Sequence, residues 1–220
     1  PAASPPAQSQ PADNRAGGAT DEGGGAINIS DFDTTGASLD LTNCTIADNT
    51  TTSASGAGGI SVVTGTVRMT NTLVAGNTAA ASGKPDLAGA FISGGNNVIG
   101  SLTGSTGITD GANGDQAGDN AEILDALLGD LGDYGGETET VPLLPGSPAI
   151  DAGASCPATD QRGITRGPSC DIGAFESRGF TAAIAGGGDQ ATFINTPFTD
   201  TLQVTVSPKA VGEPVDGGIV

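Results

Sequence analysis

Short apolar runs alternate along the chain with glycine and asparagine, and they recur in order as GGGAINIS, ASLDLTNCTIADN, GAGGISVVTGTVRMTNTLVAGN and AFISGGNNVIG. Runs of this length between turn residues predict β-strands. Within them apolar and polar residues alternate, as in Leu39-Asp40-Leu41 and Val67-Arg68-Met69, which places one set of side chains in a core and the other in water. Sliding residues 39–50 forward by 28 positions lays LDLTNCTIADNT on VRMTNTLVAGNT. Thr42, Asn43, Ala47, Asn49 and Thr50 fall on identical residues at 70, 71, 75, 77 and 78, and Leu39, Leu41 and Ile46 fall on Val67, Met69 and Val74.

A repeat of this size, made of short strands with asparagine at the corners, predicts the stacked coils of a parallel β-helix. Residues 23–100 then form about three coils, with Leu39, Leu41, Ile46, Val67, Met69 and Val74 inside. Asp40 lies outside over Arg68, as a solvated ion pair. Asn43 over Asn71 and Asn49 over Asn77 form amide ladders at tight corners, which asparagine tolerates. Cys44 stacks on Thr72 and reads as a small buried residue, since no cation stands beside it in sequence to activate a thiol.

Composition narrows the function classes. With 37 glycines and 3% aromatic residues, an aromatic-centred core is excluded, and small residues must pack in layers. A net charge of −18 with seven Lys plus Arg excludes nucleic acid as a partner and disfavours an anionic membrane surface. No apolar run is long enough to span a bilayer. Residues 1–22 are rich in Pro, Ala, Gln and Ser and read as a disordered linker, because they have little apolar surface to offset their ordering entropy. Cysteines set among Pro and Gly predict an oxidising, extracytoplasmic setting.

Residues 142–176 (PLLPGSPAIDAGASCPATDQRGITRGPSCDIGAFE) break the repeat with a density of Pro and Gly that no regular helix or long strand accommodates. They predict a compact element closing the far end of the coils, stapled by a Cys156–Cys170 disulfide. Asp160, Arg162 and Arg166 are assigned structural roles there, with a guanidinium bonding loop carbonyls or a carboxylate such as Asp151, Asp171 or Glu176. Before this block, Asp110, Asp115, Asp119, Asp125, Asp130 and Asp133 are spread along a polar stretch. Such loops can hold calcium, but the spacing matches no EF-hand, and a solvated turn region with no cofactor is the expectation. Residues 121–131 alone show helical apolar spacing, at Ile123, Leu124, Leu127, Leu128 and Leu131, and predict a short helix or turn.

Taken together, GITDGANGDQ, ILDALLGDLGDYGGETETVPLLPGSPAIDAG, CPATDQRGITR and CDIGAFE resemble the C-terminal part of bacterial choice-of-anchor Q domain proteins, and the coils GGGAI, NCTIADN and NTLVAGN resemble the rest of that domain. The resemblance covers about two thirds of the chain. It implies a right-handed parallel β-helix, secreted or attached to a bacterial cell surface as one module of a larger protein, with no catalytic residues to transfer. Residues 179–220 change pattern again, with alternation in LQVTV and a turn at PVDGG, and are similar to the opening strands of bacterial immunoglobulin-like repeats. The organisation expected is therefore a linker at 1–22, a β-helix with its closing element at 23–178, and incomplete β-sandwich strands at 179–220, within an all-β fold.

Three functions compete on these residues. A non-catalytic surface module, acting as rigid spacer, adhesin or subunit of an array, is the expectation. Its partners would be neighbouring modules or copies of itself, through two uncapped edges and an uncovered apolar face at Leu202, Val204 and Val206. A polysaccharide lyase or hydrolase needs clustered carboxylates with a base, whereas the coils offer only Asp40, Asp48, Arg68 and Asp86 in a chain with no histidine. A glycan-binding module normally presents aromatic platforms, and Tyr134 is the single tyrosine in a chain without tryptophan.

Overall fold

The computed structural model describes residues 15–16, 23–30 and 36–220. Among them every regular element is a strand. After β1 (Arg15–Ala16), the chain passes through β2 (Ile27–Ile29), β3 (Ser38–Thr42), β4 (Thr45–Ala47) and β5 (Thr50–Thr51). It repeats the circuit as β6 (Ile60–Val62), β7 (Thr66–Thr70), β8 (Leu73–Ala75) and β9 (Thr78–Ala79). A third circuit merges the first two strands into β10 (Leu87–Gly95), followed by β11 (Val98–Ile99), and a fourth keeps only β12 (Ser105–Thr106) and β13 (Gln116–Ala117). An antiparallel pair, β14 (Phe180–Gly186) and β15 (Gln203–Pro208), comes last.

Strands of successive circuits pair in parallel, giving three curled stacks: β2-β6-β10-β7-β3 with β12 on β10, then β4-β8-β11-β13, and β1-β5-β9. The 28-residue offset is the register, with Leu39 opposite Val67, Leu41 opposite Met69 and Ile46 opposite Val74. β10 joins the β2-β6 and β3-β7 pairs into one stack, because its first residues pair with β6 and its later ones with β7. The chain bends inside it at Gly89, whose φ is +104° and where any Cβ would collide with the Val62 carbonyl.

Two apolar layers result. The interior layer holds Leu41, Cys44, Ile46, Ile60, Val67, Met69, Val74, Leu87, Phe91 and Ile99. A second layer lies on the outer face of β8 and β11, where Leu73, Ala75 and Val98 meet Leu143, Ala149, Ile172 and Phe175. The β4-β8-β11 sheet is thus covered on both faces, which is why TIA, LVA and VI lack the apolar-polar alternation seen in β3 and β7.

Three expectations are corrected. Residues 142–176 do not cap the end of the stack; they run back along its side and supply the second apolar layer. Of the helix or turn expected over residues 121–131 the helix does not form; irregular chain lays Leu124, Ala126 and Leu128 against the coils instead, with Asp125 Oδ1 accepting from Leu127 N–H and Leu127 at φ +48°, outside the helical region. Asp40 and Arg68 face each other in register and are exposed, but they make no close ion pair, in keeping with water's screening of surface charges. The linker expected at 1–22 lies outside the described residues except for Arg15–Ala16, which pair with Thr50 and Thr51 through backbone groups that require no apolar side chain.

Candidate functional site

Asparagine builds the corner between the first and second stacks. Asn43, Asn71, Asn96 and Asn113 hold φ between +48° and +55°, one in each of the four circuits, a conformation in which asparagine is among the least penalised side chains. Backbone bonds join them: Asn71 N–H donates to Gly95 and Asn96 N–H to Asn113. Asn71 Nδ2 also donates to Asn43 Oδ1 at 3.3 Å.

Two further ladders are fully buried. Asn49 donates from its backbone N and its Nδ2 to Asn77 Oδ1 at 3.0 and 2.9 Å, and Asn77 donates in the same way to Asp86 Oδ1 at 3.3 and 2.9 Å. Asn97 does likewise to Asp115 Oδ1, at 3.0 and 2.8 Å. An amide column that donates downward at every step needs an acceptor at its foot, and both ladders end on a carboxylate. Burial pushes the Asp86 carboxyl up to about 6 against the opposing pull of its bonds from Asn77 and Ser101.

Residues 148–174 form a strap fastened to each circuit. Gln116 Nε2 donates to the Pro148 carbonyl at 2.9 Å, Asn96 Nδ2 to Ala152 at 3.1 Å, and Asn71 Nδ2 to Ala154 at 2.7 Å. Past the intervening loop, Asn43 Nδ2 donates to the carbonyls of Asp171 and Gly173 at 3.1 and 3.2 Å, while Ala174 N–H donates to Thr45 Oγ1. Gly173 sits so close that a Cβ there would lie 2.6 Å from Thr45 Oγ1. Cys156–Cys170 joins the two limbs of the loop, and Cys44 stays outside the disulfide, buried in the interior layer.

The loop is filled by a buried charge network. Arg162 bonds Asp160 Oδ2 at 2.7 Å, donates to the Glu176 carbonyl, approaches Glu213 at 3.7 Å and stacks 3.5 Å from the Phe175 ring centroid. Arg166 pairs with Glu176 at 2.8 Å and donates to the carbonyls of Asp171 and Gly173. Asp171 accepts from Asp151 N–H and Ser177 N–H, and burial, with Glu176 and Asp151 nearby, lifts its carboxyl to about 7. Glu213, arriving from the C-terminal tail, pairs with Arg178 at 3.1 Å, so the tail is tied into the same network.

The structure therefore brings Cys156, Cys170, Asp160, Arg162 and Arg166 together, and links Asn43 and Asn71 to them through the strap. Asn49 and Asn77 stand at a different corner. Asn96, Asn97, Asn113 and Glu213 escaped sequence reasoning, as did the place of Asp86 at the foot of a ladder. The recurrence of Asn at one place in each circuit was the available signal for the asparagines, whereas Glu213 has none. Of the carboxylates weighed for catalysis, Asp86 is committed to its ladder, and Asp40 and Arg68 share an exposed strand pair.

Acidic residues elsewhere serve turns: Asp110, Asp119, Asp125 and Asp133 each accept a nearby backbone N–H. Among the described residues no three acidic or thiol side chains gather as metal ligands, and no helix is long and apolar enough to cross a membrane. One groove, of about 760 Å³, is walled by Asp110, Asp119, Glu122 and Asp125, and another, of about 440 Å³, by Asp125, Asp130, Tyr134 and Asp216. No protein family, curated protein or solved structure matches this chain.

Proposed function

We propose that this chain is a non-catalytic structural module of a bacterial cell surface or secreted assembly, built as a right-handed parallel β-helix of the choice-of-anchor Q type. The observation that carries this reading is the strap. Its bonds to Gln116, Asn96, Asn71 and Asn43 reach across four circuits, so sliding one circuit over the next must break several hydrogen bonds together, the one from Asn43 buried and the others part-buried. Rigidity along an axis is what a spacer requires. Support for an extracytoplasmic setting comes from the Cys156–Cys170 disulfide, which persists where the redox poise is oxidising. In this reading the tail hairpin supplies sandwich strands, and neighbouring modules or further copies are the partners.

Incubating the protein with a panel of neutral and uronate polysaccharides, and following reducing ends and absorbance of unsaturated products, tests this assignment. No turnover is expected. Turnover lost in both Asp40→Asn and Arg68→Ala would replace it with the polysaccharide lyase or hydrolase reading. A glycan-binding reading draws on one feature, the Tyr134 groove. Glycan affinity abolished by Tyr134→Ala would favour it.

A further inference from the structure

The β14–β15 hairpin leaves the body and returns to it. Its base is pinned where Lys209 N–H donates to the Gly179 carbonyl and where Arg178 meets Glu213, and beyond the base Ile219 N–H donates to Pro145. Between these anchors both strands are open to water: Ile184 is 68% exposed and Val204 47%. The long connection between the strands is no better covered, with Ile194 94% exposed and Phe193 and Phe198 also bare.

The register sorts the hairpin into two faces. Ile184 lies opposite Val204 and Ala182 opposite Val206, while the alternate pairs are Ala183 with Thr205 and Thr181 with Ser207. One face is therefore wholly apolar and the other mostly hydroxyl. A two-stranded hairpin is marginal in water unless its apolar face is covered, so this face calls for a partner sheet with the same character.

Charge selects the partner. The chain carries −18 overall, yet residues 179–209 hold only Asp189 and Asp200 against Lys209, and none of these lies among the paired residues of the apolar face. Two copies meeting anywhere on their acidic bodies would bring like charges together, while two hairpins can meet with little repulsion. The face is also its own complement, as a two-fold contact requires.

We propose that two copies of this chain dimerise by packing the apolar faces of their β14–β15 hairpins together, burying Ile184, Val204 and Val206 of each in a four-stranded sandwich. This rests on the assembly reading above and specifies its surface.

Sedimentation equilibrium of the full chain against Val204→Lys and Thr205→Lys tests it, since the two substitutions sit on adjacent exposed residues of opposite faces and neither disturbs the body. The expected wild-type result is a dimer with a dissociation constant on the order of micromolar, tightened by added salt as the bodies are screened. Val204→Lys should weaken it by about 100-fold, by burying unpaired ammonium groups, while Thr205→Lys stays near wild type. A dimer that survives Val204→Lys overturns this interface but keeps self-assembly, whereas a wild-type monomer at about 100 μM overturns the dimer altogether. Equal weakening by both lysines, which would point to edge pairing or to charge alone, also overturns the face-to-face arrangement. Polysaccharide turnover by the dimer would strike the structural-module assignment without touching the interface.

Discussion

The Asn71 side chain brackets the backbone of Ala154: its Oδ1 accepts the Ala154 N–H at 3.0 Å and its Nδ2 donates to the Ala154 carbonyl at 2.7 Å. A side-chain amide thus imitates a neighbouring strand and joins residues 83 positions apart. It does so from a backbone held at φ +48°.

Two substitutions separate those roles. Asn71→Gly keeps the left-handed backbone but takes the side-chain partner from the part-buried N–H and carbonyl of Ala154, and is expected to cost about 1–2 kcal/mol. Asn71→Ala adds about 1 kcal/mol of backbone strain. Urea unfolding of both measures the difference; equal losses would show that φ contributes nothing.

Arg162→Ala strands the Asp160 carboxylate, leaves Glu213 with Arg178 as its remaining cation, and removes the cation stacked on Phe175, in side chains that are almost fully buried at Asp160 and Glu213. A loss of about 3–5 kcal/mol is expected, appearing as a lowered melting temperature. Glu213→Gln is milder in the body, but it releases the tail from Arg178. Proteolysis should then cut after Lys209 faster than in the wild type.

Denatured without reductant, the protein should show one thiol, from Cys44, and with reductant three. Reduction is expected to cost about 3 kcal/mol. The limbs of the strap remain fastened by asparagine bonds, so a reduced protein should fold and lose hydrogen-exchange protection first near Gly153 and Ala154. Complete unfolding on reduction at 25 °C would show that the disulfide dominates.

Asp86 and Asp171 set the pH dependence. Their folded pKa values, about 6 and about 7, lie above the unfolded value of 3.8, so the folded state holds protons that the unfolded state has released. Their favourable contribution is complete below about pH 4 and is lost as pH rises, through 6 for Asp86 and through 7 for Asp171. The melting temperature should therefore be higher at pH 5 than at pH 8, by an amount on the order of a few kcal/mol of stability. Asp171→Asn should flatten the upper part of that slope; an unchanged slope would assign it to the general repulsion of a chain at −18.

What residues 39–50 and 67–78 determined alone was the repeat, because strand register and apolar alternation are local properties that a 28-residue offset writes directly into the chain. Proximity in sequence likewise sufficed to pair Cys156 with Cys170. The path of the strap was decided only by tertiary structure. Its Pro- and Gly-rich residues carry no period, and its partners Gln116, Asn96, Asn71 and Asn43 are chosen by which corner of the stack each circuit happens to present. Residues 121–131 show the same division: their leucines are spaced for a helix, yet aspartates that bond the local backbone, and an outer sheet face waiting for apolar cover, favour irregular chain instead. Glu213 is the extreme case, since nothing near it in sequence marks a residue whose charge is balanced by Arg162 and Arg178, and burial without those partners would cost more than the tail's folding could return.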